Sequence, residues 1–187
     1  MEWDHFDYSG AKEMRERFLP LKEVLSFVDL KDGESLLDVG AGDGHYSIAF
    51  ASSNPNSDIT ALEIGLNGTK LIKQKISQSK LENVKILEED ACAKRDYSSY
   101  DVIFFSTVFH DLDCREDLAG SIVATLSPGA RVIFIEFKKE AEVGPPAHIK
   151  ISEKELKGLM EQKGFTLSDS KEMELHYMHK YIIKQKK

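Results

Sequence analysis

The sequence predicts an α/β fold: a doubly wound, mostly parallel seven-stranded sheet with a C-terminal antiparallel hairpin. Three observations carry that expectation. Short apolar runs alternate with longer runs of helical apolar spacing from about residue 30 onward. The first short run, Leu36-Leu37-Asp38-Val39, passes directly into a glycine loop, Gly40-Ala41-Gly42-Asp43-Gly44-His45, that opens a helix. The last two β-like runs are separated by almost nothing, and so short a connection joins only antiparallel neighbours.

Each element has its own signal. Residues 11–29 carry Met14, Phe18, Leu21, Val24, Leu25 and Val28 near helical spacing, which predicts a helix kinked at Pro20. Strand one covers about 35–39 and its helix about 44–53, closed by Ser52-Ser53-Asn54-Pro55-Asn56-Ser57. Strand two is 58–63, and helix 67–79 follows with Leu71, Ile72 and Ile76 inward and lysines outside. Strands three and four are 84–88 and 101–106, and Phe104 and Phe105 belong to the core. A helix at 115–126 ends at Ser127-Pro128-Gly129. Strand five, 131–137, is apolar along much of its length, as expected of a strand covered on both faces. After the loop 138–150, Ser152 caps a helix to Lys163, Glu155 stands at the capping-box offset, and Gly164 ends it. The closing runs are 165–173 and 175–184, with His176 and His179 structural or exposed. Strand–helix alternation with right-handed crossovers makes this one domain over 1–187, in which 1–30 form a lid and helix and 31–187 the core.

Bulk properties narrow the function classes. A net charge of −7 argues against sequence-independent nucleic-acid binding, which draws on clustered Lys and Arg. No apolar run approaches a membrane span, and the N-terminus lacks the regions of a signal peptide. Cys92 and Cys114 suit a reducing compartment and suggest no disulfide, so a cytoplasmic chain is expected. No His/Cys cluster has metal-ligand spacing, so no metal is expected.

Ligands of such sheets bind beyond the carboxyl ends of the strands. Here those ends are acidic: Asp38, Glu63 and Glu88-Glu89-Asp90. A carboxylate at Glu63, about twenty residues past the loop, suits two ribose hydroxyls, as it also would in a NAD site. The loop spacing is G-x-G-x-G, and His45 occupies the third glycine position of a dinucleotide fingerprint. A pyrophosphate beside Asp38 would meet a repulsion of about 1 to 4 kcal/mol at 4 Å. S-adenosylmethionine, with a sulfonium, an ammonium and no phosphate, suits the acidic rim better.

The motifs resemble those of class I S-adenosylmethionine-dependent methyltransferases of the small single-domain type, similar to the ubiquinone/menaquinone and arsenite methyltransferases. The resemblance covers about residues 15–184. It rests on Leu36–Gly44, Glu63, Glu89-Asp90-Ala91, the run 101–110 and the run 126–136. It implies a Rossmann-like fold and S-adenosylmethionine as cofactor, with S-adenosylhomocysteine as product. By the same resemblance Gly40, Ala41 and Gly42 pack against the cofactor and Asp38 holds its methionine end. Glu63 takes the ribose hydroxyls, Ile64 lies against the adenine, Asp90 accepts from the adenine amino group and the Ala91 N–H donates to the ring. Thr107, at the end of strand four, belongs to the cofactor side, and Tyr8 contacts the cofactor from an N-terminal lid. The family more often carries Asp where Glu63 stands, and Gly65-Leu66-Asn67-Gly68 is an unusual start to the next helix.

Methyl transfer from a sulfonium needs orientation and exclusion of water, and a base only if the acceptor must lose a proton. His110, just past strand four, is the candidate base. His148, in the loop beyond strand five, is a candidate lining residue. The strand-four loop lacks the Asp/Asn-Pro-Pro-aromatic pattern of nucleic-acid amino methylation, and neither cysteine stands where a nucleophile would. The expected acceptor is a small molecule, the chain a monomer or homodimer with no membrane contact. Protein or RNA methylation, a NAD-type oxidoreductase and a non-catalytic cofactor-binding module stay open as alternatives.

Overall fold

The computed structural model describes residues 9–183, and the chain divides into two compact units, Met1–Ala93 and Lys94–Lys187. The first holds α1 (Ser9–Phe18), α2 (Leu21–Val28), β1 (Ser35–Val39), α3 (His45–Ser53), β2 (Asp58–Leu62), α4 (Leu66–Ser79) and β3 (Val84–Leu87). The second holds β4 (Val102–Ser106), a 3-10 turn (Phe109–Asp111), α5 (Arg115–Thr125), β5 (Arg131–Phe137), α6 (Glu153–Gln162), β6 (Phe165–Glu172) and β7 (His176–Ile183). The seven-stranded sheet has the order β3-β2-β1-β4-β5-β7-β6.

Within the first unit β1, β2 and β3 pair in parallel, Leu37 beside Thr60 and Thr60 beside Lys85. Its core comes from Leu36, Leu37, Ile59, Ala61 and Leu62 on the strands and Val24, Val28, Phe50 and Ile72 on the helices, all fully buried. Within the second unit β4 and β5 are parallel, while β7 runs antiparallel to both β5 and β6. Phe134 of β5 organises the aromatic core there. Phe105 stacks on it at 4.9 Å, and Phe109 and Tyr181 meet it edge-on at 4.8 and 5.8 Å.

Two local expectations need correction. The single kinked N-terminal helix is two helices, because Pro20 offers no N–H and displaces the residue before it from helical backbone. The chain between β3 and β4 runs through turns, as its lack of helical periodicity allows: Asp90 accepts the Cys92 N–H at 2.8 Å and Asp96 the Ser98 N–H at 2.9 Å. Neither Cys92 nor Cys114 is a free thiol, against the expectation from sequence, where two widely spaced cysteines carry no pairing signal. The capping box of α6 forms as expected, with Ser152 Oγ accepting from Glu155 N–H and Glu155 Oε2 accepting from Ser152 N–H. His176 and His179 are both buried in β7.

Candidate active site

In the first unit the site is built on the loop between β1 and α3. Gly40, Gly42 and Gly44 take φ of 67°, 57° and 74°, a region costly for residues with a Cβ. The loop's N–H groups are donated inward. Gly40 and Ala41 donate to Leu62 O at 2.9 and 3.0 Å, Gly44 to Ala41 O at 2.8 Å, and His45 to Asp43 Oδ1 at 3.3 Å. Gly42 N–H donates to Glu63 Oε2 at 2.7 Å, and Glu63 Oε1 accepts the Gly65 N–H at the same distance.

Glu63 therefore braces the loop while keeping further acceptor capacity on each oxygen. Burial raises its pKa against the lowering by those N–H bonds. Gly68 makes the arrangement possible: a Cβ there would stand 2.6 Å from Gly42 O and 2.9 Å from Glu63 Cγ. Beside this carboxylate the apolar side chains of Ile64 and Leu66 are left 51% and 64% exposed. The resemblance implies that Ile64 lies against the adenine, and the structure leaves Ile64 half exposed.

Asp38 lies under the loop, not on its rim. It is buried, with Ser47 Oγ of α3 donating to Oδ2 at 2.5 Å. Burial, with the nearby charge of Glu63, outweighs that bond and raises its pKa to about 7. A carboxyl held protonated toward neutral pH repels a pyrophosphate less than a free aspartate would. Loop geometry discriminates more strongly. A phosphate-binding loop presents unpaired N–H groups, and here those of Gly40, Ala41, Gly42, Gly44 and His45 already have protein acceptors.

Asp90 is exposed in its turn, and Ala91 beside it is half-buried. A cluster not anticipated from sequence joins α1 to the loop. Asp43 accepts from Arg15 Nη2 at 3.0 Å and from Lys75 Nζ at 2.9 Å, and the two cations hold its pKa down against burial. Tyr8 lies outside the described residues.

The second unit carries its own polar group beyond β4 and β5. Thr107 has φ of 51°, a genuine strain for a β-branched residue, and its N–H donates to Ile135 O at 2.7 Å. The 3-10 turn that follows buries His110, whose Nδ1 meets Glu136 Oε2 at 2.6 Å while its N–H donates to Glu136 Oε1 at 3.2 Å. Nε2 stands 3.4 Å from Asp111 Oδ2, and Arg115 Nη1 donates to His110 O at 2.9 Å. Burial disfavours the imidazolium, but Glu136 and Asp111 outweigh it and raise the His110 pKa. Glu136 has no role in the sequence reading, although it stands one residue before the end of β5; an acidic residue near a strand end is the signal that points to it. His148 is exposed and lines a cleft with Arg115, Lys150 and Lys154.

The methyltransferase domain family matches residues 30–183, which span most of both units. The chain belongs to that family. It is 29% identical over 112 residues to malonyl-[acyl-carrier protein] O-methyltransferase 2 of Ilyobacter polytropus, covering 60% of this chain and 42% of that protein. It is 34% identical over 90 residues to ribosomal RNA small subunit methyltransferase G of Laribacter hongkongensis, covering 48% of this chain and 43% of that one. The chain thus spans less than half the length of either curated relative. A crystal structure of a SAM dependent methyltransferase from Aquifex aeolicus shares the fold. It has a TM-score of 0.84 at 24% identity and covers 95% of this chain and 99% of its own.

Proposed function

We propose that this methyltransferase domain transfers a methyl group from S-adenosylmethionine to a small-molecule acceptor. The observation that carries the reading is the glycine loop itself. Its N–H groups are satisfied within the protein, and a buried carboxylate, Glu63, braces it. That donor set suits a cofactor with ribose hydroxyls and positive charge, and it disfavours a pyrophosphate. When bound, the cofactor supplies a methyl group on a sulfonium.

The remaining work belongs to the chain's own side chains. Glu63 accepts from the ribose, Ile64 covers the adenine, and Asp90 with Ala91 N–H reads its edge. Gly40, Ala41 and Gly42 let the cofactor approach the backbone, and Thr107 holds the turn after β4. His110 is the proton acceptor at Nε2 when the acceptor must lose a proton, with Glu136 fixing Nδ1–H and hence the tautomer. The acceptor's size rests on the net charge of −7. The named acceptors of the relatives include both a carrier-bound malonyl group and ribosomal RNA. Among the described residues no helix is long and apolar enough to cross a membrane. A cytoplasmic setting fits that, while the bonded state of Cys92 and Cys114 weighs against it.

Titration calorimetry with S-adenosylhomocysteine and with NAD tests the reading. Binding of the first and not the second is expected. Glu63→Ala should weaken that binding by roughly 1.5–3 kcal/mol, through lost charge-assisted bonds. Unchanged affinity in the variant removes Glu63 from the site, and NAD binding alone overturns the function.

A further inference from the structure

We propose that a cleft in the second unit, between residues 139–152 and α6, binds an anionic group (a carboxylate or a phosphate) carried by the methyl acceptor. The inference rests on the methyltransferase reading above and narrows its substrate class. The cleft has a volume of about 770 Å³ and is lined by Arg115, Lys139, His148, Lys150 and Lys154, with Glu116 and Glu155. In a chain of net charge −7, so many cations on one cleft need a reason.

The carboxylates there do not neutralise them all. Glu155 is engaged by Lys139 at 2.9 and 3.1 Å and by the capping box of Ser152, and Glu116 stands 3.6 Å from Lys163. Arg115, Lys150 and Lys154 form no ion pair among the described residues. Lys150 is the telling one. It is only 5% exposed, and burying an ammonium without a counter-charge is costly. Nζ donates to Ala141 O at 2.5 Å and Val143 O at 2.9 Å. Those bonds use two of its three donors, and the Phe137 ring 5.7 Å from Nζ adds an attraction but no negative charge, so the ammonium has no counter-ion until an anion enters the cleft.

Arg115 also connects the cleft to the chemistry, since its Nη1 holds the carbonyl of His110 at 2.9 Å. An acceptor anchored by its anion here would have its other end set relative to the His110–Glu136 pair through Arg115, which lines the cleft and bonds to the His110 carbonyl.

Malonate and inorganic phosphate, each titrated into the full chain saturated with S-adenosylhomocysteine and followed by two-dimensional amide NMR, serve as probes. Saturable shifts confined to Arg115 and 148–158 are expected, with malonamide giving none. The stronger of the two anions identifies the group. Lys154→Glu, at an exposed position that tolerates exchange, should weaken the anion about fivefold. Lys150→Met should abolish binding, with thermal unfolding checked alongside. Shifts that do not saturate, equal binding of malonamide, or an unchanged Lys154→Glu overturn the anion site. Failure of S-adenosylhomocysteine to bind at the outset instead overturns the methyltransferase reading on its own.

Discussion

Two carboxyls that meet at the same loop do different work. Glu63 is legible as a ligand group because it stands at a strand end, and its structural duty toward Gly42 and Gly65 is not, since only the folded loop brings those N–H groups to it. Asp38 looks equivalent in sequence but is sealed beneath α3 by Ser47. Its folded pKa of about 7 lies above the roughly 3.9 of an unfolded aspartate. Between those values the folded chain holds the extra proton. The stability this group contributes is therefore complete below about pH 3.9 and is lost as pH rises through about 7. Asp38→Asn should gain on the wild type from about pH 4 to about pH 7 and level off above that in urea unfolding. A pH-independent difference between the two proteins would show that Asp38 ionises normally.

At the level of elements, the glycine loop and α4 fit only because one helical position lacks a side chain. Helix propensity alone favours Gly68→Ala by about 1 kcal/mol. The added Cβ, however, would press on Gly42 O at 2.6 Å, a backbone atom that cannot swing aside. Gly68→Ala should thus destabilise the protein by about 1–3 kcal/mol and reduce affinity for S-adenosylhomocysteine. A raised urea midpoint would mean that the loop yields freely. The sequence marked Gly65-Leu66-Asn67-Gly68 as unusual but could not say why, because the reason is a contact 26 residues away along the chain. By contrast the box at Ser152 and Glu155 was readable in full, since capping depends on neighbours three apart. The break between α1 and α2 was half readable: proline announces an interruption, not its extent.

For the whole molecule, binding should appear as stability. Any ligand that favours the folded chain adds about 2.7 kcal/mol at one hundred times its Kd. In a protein of this size that corresponds to a rise in Tm of roughly 5–11 °C. Differential scanning fluorimetry with S-adenosylhomocysteine should show it and NAD should not; equal shifts with both would restore the dinucleotide alternative. The alternation of strands and helices, the antiparallel close through β7 and the glycine loop were determined by sequence alone, because periodicity and turn chemistry are local and repeat within a few residues. Tertiary structure alone decided that Asp38 is buried and Glu63 braces the loop, that His110 is paired with Glu136, and that Arg115, Lys150 and Lys154 of one cleft have no carboxylate partner among the described residues. Each of these depends on which distant groups share a low-dielectric space, and a linear order of residues does not encode that distance.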